Sequence, residues 1–137
     1  MDALEIGSPS DHLRLSPAAD GATLHHLVAV LAVEGLSATK KVYAHYAFGW
    51  RDLADFFGEL AGDWRGWSGV REWTSLESDL KIEAKHDGGH VRLHVTLRQD
   101  WPHRGGGSWT VCVDLAVEPG EQLRRLADDI KDLANQT

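Results

Sequence analysis

The segment from Leu80 to Arg98 admits one arrangement of its backbone. Leu80, Ile82 and Ala84 alternate with Lys81, Glu83 and Lys85; beyond Asp87-Gly88-Gly89, Val91, Leu93, Val95 and Leu97 alternate with Arg92, His94, Thr96 and Arg98. Such alternation places apolar side chains on one face of a strand and polar ones on the other. A two-residue Gly88-Gly89 loop sets Ala84 opposite Leu93, Ile82 opposite Val95 and Leu80 opposite Leu97. A three-residue loop would oppose apolar to polar side chains throughout, so the parity of the sheet excludes it. The chain therefore holds an antiparallel hairpin with one dry face and one wet face.

The same reasoning extends along the chain. Glu34-Gly35 can turn the apolar run Thr23 to Val33 into Leu36 to Tyr46, with Val33 opposite Leu36, Leu31 opposite Ala38 and Leu27 opposite Val42. Thr23 to Val33 is apolar on both alternating sets, as expected of a central strand covered on both faces. Ala3 to Ile6 and His12 to Leu15 form an edge hairpin around Gly7-Ser8-Pro9-Ser10, and Trp109 to Val117 alternates as a further strand. From Trp50 the period becomes helical, with Leu53, Phe56, Phe57, Leu60, Ala61 and Trp64 on one stripe. After Pro119 a second stripe follows, of Leu123, Leu126, Ala127, Ile130, Leu133 and Ala134. The order ββββαβββα contains no strand-helix repeat. It predicts one α+β domain over 1–137, a single antiparallel sheet of about six to seven strands with two helices packed on one face.

At 137 residues the chain has the size of one ordinary domain. Its 14 basic residues are outweighed by 21 acidic ones, a net charge of −7 that argues against a nucleic-acid partner and suits a basic protein partner. The one cysteine, Cys112, cannot form an intrachain disulfide. No signal-peptide pattern opens the sequence and no apolar run is long enough to span a bilayer, so a cytoplasmic location is expected, without membrane association.

Chemistry-bearing patterns are few. His25 and His26 neighbour one another on a strand and so point to opposite faces. His90 and His94 share a face but stand roughly 13 Å apart by strand rise, too far to chelate one ion. Glu83 falls opposite His94, a carboxylate-imidazole pair, and Lys85 falls opposite Arg92, a like-charge pair that an acidic group would relieve. No nucleophile elbow, phosphate loop, HExxH or CxxC occurs, so no catalytic residue, metal site or cofactor is implied. What stands out is Trp64-Arg65-Gly66-Trp67-Ser68-Gly69-Val70-Arg71-Glu72-Trp73, where indoles are interleaved with arginines and glycines. Tryptophan and arginine are enriched at binding hot spots, and guanidinium stacks on indole. As a connector between helix and hairpin, the segment gives Trp64 and Trp73 structural work and leaves Trp67 open to either role.

The helix Asp52-Leu53-Ala54-Asp55-Phe56-Phe57, then Trp64-Arg65-Gly66-Trp67, Trp73-Thr74-Ser75-Leu76-Glu77 and the Gly89-His90-Val91 hairpin resemble a family of small bacterial proteins classed only as a domain of unknown function. The likeness covers most of Leu24 to Leu133. The layout is also similar to that of immunity proteins from bacterial toxin systems, typically acidic α+β domains. Two functional readings follow. One is a non-enzymatic, cytoplasmic interaction domain of immunity type, with Trp67, Arg65, Arg71, Trp101, His94 and Arg92 as candidate binding residues. The other is a small-molecule-binding protein or small enzyme, its pocket enclosed by a curved sheet and the helices and lined by Trp67, Trp73, Trp101, His94 and Tyr43.

Overall fold

A computed structural model describes residues 3–17, 26–100 and 107–135. It corrects the expected single sheet. Two four-stranded antiparallel sheets are present: β1 (Leu4–Gly7), β2 (His12–Pro17), β3 (His26–Val33) and β4 (Leu36–Tyr43) in one; β5 (Val70–Thr74), β6 (Leu80–His86), β7 (Val91–Gln99) and β8 (Trp109–Val117) in the other. Helix α1 (Arg51–Gly62) joins the sheets and α2 (Glu121–Ala134) follows β8.

The correction has two physical causes. Val70-Arg71-Glu72-Trp73-Thr74 is a strand paired with β6, but it buries Trp73 alone, so its side chains carry no alternation from which to infer a strand. In addition, hairpin parity specifies sequential partners and is silent on whether two meanders join edge to edge. The edges that could join, β1 and β8, run beside each other but belong to separate ladders.

Within each sheet the expected registers are found. Ala84 faces Leu93, Ile82 faces Val95 and Leu80 faces Leu97, while Asp87 N–H donates to the His90 carbonyl to close the two-glycine turn. Val33 faces Leu36 and Leu27 faces Val42 across Glu34-Gly35. Leu4 faces Leu15 and Ile6 faces Leu13 in the first hairpin. Its turn demands glycine at position 7: φ is +121°, and a Cβ there would run into the carbonyl oxygen of Asp11.

The apolar faces of both sheets and the stripes of both helices form one core cluster. Leu13, Leu15, Leu27 and Leu31 enter it from the first sheet, Ile82, Leu93, Val95 and Leu97 from the second, and Phe57, Leu60, Leu123 and Ile130 from the helices, which pack on each other. Trp50 is buried just before α1, whereas Trp64, expected on the α1 stripe, lies beyond the helix end and is exposed. On β3, Leu27, Ala29 and Leu31 are fully buried. Val28, Val30 and Ala32 face the other way and are only half-buried, so the second cover expected for this strand is incomplete among the described residues. The beginning of that expected strand, Thr23 to His25, falls outside them. No described helix is long and apolar enough to cross a membrane.

Gly7→Ala should lower the unfolding free energy by about 2 kcal/mol in urea titrations, since it adds both backbone strain and a clash. Gly89→Ala, at an ordinary φ with open space around the new methyl, should stay within about 0.5 kcal/mol of the parent.

Candidate interaction surface

The tryptophan segment is an ordered corner where α1 ends and β5 begins. The N–H of Asp63 donates to Glu59 O and that of Gly66 to Asp63 O (2.9 Å), the latter with Gly66 at φ +144°. This turn throws Trp64 outward, leaving it 46% exposed with the Arg65 guanidinium 5.1 Å from its ring centroid. The backbone under it is braced from the second sheet. Gly88 N–H donates to His86 Nδ1 (3.1 Å), so the ring's proton sits on Nε2, which donates to the Trp64 carbonyl (2.8 Å).

Trp67 is half-buried against the core. Its Nε1 donates to Ala84 O (3.4 Å), its ring meets His86 edge-on at 5.2 Å, and the Arg71 guanidinium lies 5.0 Å from its centroid. Arg71 also pairs with Asp63 at 2.8 Å. Trp73 is buried, and its Nε1 donates to Asp52 Oδ2 (3.1 Å) in the first turn of α1. Of the two indoles expected to be structural, Trp73 is inside and Trp64 outside.

The six candidate binding residues thus divide. Arg65, Trp67 and Arg71 share the corner. Arg92 and His94 stand on the opposite, solvated face of the second sheet, and Trp101 is outside the described residues. His94 does face Glu83 in register, but its Nδ1 is bonded to Asp114 on the other neighbouring strand at 2.7 Å. Lys81 takes Glu72 and Glu83. The Lys85–Arg92 juxtaposition is relieved internally, because Arg92 Nε donates to Asp87 Oδ2 at 3.0 Å. The residues of the pocket reading do not converge either: Tyr43 and His94 project from the polar faces of different sheets and Trp73 is in the core.

Two features escaped sequence reasoning. The turn after β4 carries Tyr46, 88% exposed, and Phe48, each stacked on His45 with centroids 4.5 Å apart, while His45 Nδ1 accepts from the Ala47 and Phe48 N–H groups. Aromatics spaced by Ala47 and Gly49 are the available signal; the expected strand Leu36 to Tyr46 takes in Tyr46, whereas β4 ends at Tyr43. The second feature is a pair of open hollows flanking the β1–β2 turn. One, of about 390 Å³, is lined by Asp11, Asp87, His90, Arg92 and Asp114 among others; the other, of about 280 Å³, is lined by Glu5, Glu118, Glu121, Asp129 and Arg125 with their neighbours. Carboxylates outnumber cations in both. Nothing in the sequence could assemble them, because their residues come from separate turns, strands and the second helix.

Asp87 belongs to both halves of this picture. It sits in the turn next to His86, which braces Trp64, and it lines the larger hollow. The backbone N–H of His90, then Arg92, then the N–H of Gly89 lower its pKa from 3.8 to about 2. Because the folded value is depressed, the stabilisation is complete above pH 3.8 and is lost as pH falls toward about 2. Asp87→Ala should therefore melt below the parent at neutral pH, with the gap narrowing through that acid window. The Asp87 carboxyl carbon should titrate by NMR with a midpoint near 2. Among the described residues no three His, Cys, Asp or Glu side chains are grouped to hold a metal ion. Cys112 is exposed, its Sγ 3.6 Å from Thr96 Oγ1.

Residues 4–137 match the family of unknown function DUF6228, and the chain belongs to that family. No curated protein matches it.

Proposed function

We propose that this member of the family is a non-enzymatic interaction domain of immunity type that occludes a basic protein partner, with Trp64 and Arg65 as its anchor. The observation that carries the reading is the half-exposed Trp64 indole on a backbone held by His86. An aromatic presented from an ordered loop loses little conformational freedom on binding, which is why such side chains dominate interface energetics. The β6–β7 turn that supplies the brace also lines the carboxylate-rich hollow of Asp11, Asp87 and Asp114. Aromatic anchor and negative charge therefore flank one turn, and the low pKa of Asp87 keeps its charge in place well into acid. A basic partner would be steered by that charge and held by the indole.

Pull-down from the native host by the intact chain, followed by affinity measurement on the retained protein, tests the reading. Trp64→Ala should weaken binding at least about 30-fold, the scale of a hot-spot residue, with an unchanged melting temperature. Raising salt should slow association while affecting dissociation less. Co-expression should protect cells from the partner if it is a toxin, and Trp64→Ala should remove the protection. A partner held equally well by Trp64→Ala, or one that is itself acidic, sinks the proposal.

A further inference from the structure

We propose that the outer face of the first sheet is a second docking face, of opposite sign, for an acidic amphipathic helix of a partner protein. The inference stands apart from the Trp64 corner. Leu27 to Val33 is apolar at every position, the composition of a strand buried on both sides, yet only Leu27, Ala29 and Leu31 are fully covered. Val28, Val30 and Ala32 form a half-buried apolar column on the other face.

The charges beside that column identify its occupant. In register, Lys41 of β4 lies next to Val28 and Arg14 of β2 next to Val30. Both cations are exposed, and neither has a carboxylate within ion-pairing distance among the described residues. Glu5, directly opposite Arg14 on β1, has its carboxylate 3.8 Å from His12 instead. Elsewhere among the described residues Lys40, Arg71, Lys81, Arg92, Arg98, Arg124 and Arg125 are ion-paired, whereas Arg51, Arg65, Lys85 and Lys131 are not. Arg14 and Lys41 are thus two exposed cations, without a carboxylate partner among the described residues, that flank an apolar column.

The spacing suits a helix. Arg14 and Lys41 sit on either side of β3, about 10 Å apart across the strands and offset about 7 Å along them. A helix about 10–12 Å wide laid along β3 would press its apolar stripe onto Val28 and Val30. Carboxylates on the two flanks of that stripe would then meet Arg14 on one side and Lys41 on the other.

A displayed library of amphipathic helices, with a fixed leucine stripe and flanking positions randomised among Asp, Glu, Lys, Arg and Ser, can be panned on the intact protein. Helices with acidic flanks should be enriched. The charge-reversed variant Arg14→Glu/Lys41→Glu should bind them at least about tenfold more weakly and prefer Lys- and Arg-flanked helices instead. Arg14→Ala/Lys41→Ala, a milder change at the same exposed sites, should show the loss without the reversal, and Trp64→Ala should leave binding unchanged. A pool that is empty or without acidic bias, or acidic helices that bind both variants as tightly as the parent, overturns the proposal. So would a dimer in sedimentation that Val30→Thr dissolves, which would place a second copy on the face. Retention on vesicles with about 30% phosphatidylserine that depends on Arg14 and Lys41 would assign the face to lipid and overturn it equally.

Discussion

Neither four-stranded meander has an interior of its own, and the rest of the structure follows from that. Each sheet buries one face fully: burial runs B-e-B-e-B along β7, with the complementary polar residues in water, and on β3 Leu27, Ala29 and Leu31 are fully buried while Val28, Val30 and Ala32 are only half-buried. An isolated meander would leave that face wet, and a fully buried leucine is worth about 1.5–3 kcal/mol relative to an exposed one. The two faces and the two helical stripes are therefore obliged to share a single core. The helix between the sheets contributes to that core as well as linking them: Leu53, Phe56, Phe57 and Leu60 enter it from α1, while Asp52 on the same helix reaches β5.

A shared core leaves sheet placement to a small set of polar ties, since burial of apolar area has little directional preference. Among the described residues, such ties between units include the following. Trp73 Nε1 on Asp52 fastens β5 to α1. Gln122 Nε2 on the Gly7 carbonyl, at 3.0 Å, fastens α2 to the first hairpin. Lys40 of the first sheet reaches Asp79 of the second at 3.9 Å. Asp79 is itself buried and accepts from Ser75 Oγ at 2.6 Å, while Ser75 Oγ in turn receives the Leu80 N–H. The run Trp73-Thr74-Ser75-Leu76-Glu77-Ser78-Asp79-Leu80 is thus a load path from helix to sheet to sheet. Leaving any one of those buried groups unpaired would cost about 1–3 kcal/mol.

This division explains what could be read from the sequence. Hairpins were legible because parity is a property of neighbouring residues: the turns at Gly35 and Gly88 specified their registers without reference to anything distant. Both helices were legible from their stripes, though Trp64, expected on the first stripe, lies in the Asp63–Gly66 turn that follows α1. The short strand β5 was not, because its membership of the sheet comes from backbone pairing with β6 and from one indole, Trp73. The candidate residues do not share one surface. Arg71 does lie over an indole and His94 does face a carboxylate, but they sit on opposite faces of one sheet, and the exposed indole is Trp64, expected to be structural, while Trp67, left open, is half-buried. The acidic hollows were beyond reach, since each is assembled from residues far apart in the chain.

The open edges of the two sheets say how a partner can approach. β4 and β5 are edge strands, and an exposed edge invites a foreign strand to add by backbone pairing. Both edges are blunted. On β5 the outward Glu72 sits opposite Glu83, with Lys81 drawn between the two, and the strand is only five residues long. On β4 the successive Lys40 and Lys41 place a cation on each face. A strand added at either edge would have to desolvate these charges for a handful of backbone bonds, each worth about 1 kcal/mol net. Recognition through side chains on ordered corners and faces can offset the same desolvation with opposite charges from the partner. Under the proposed interaction role, that asymmetry favours the braced Trp64 corner, and the apolar column of β3 between its two cations, over strand addition.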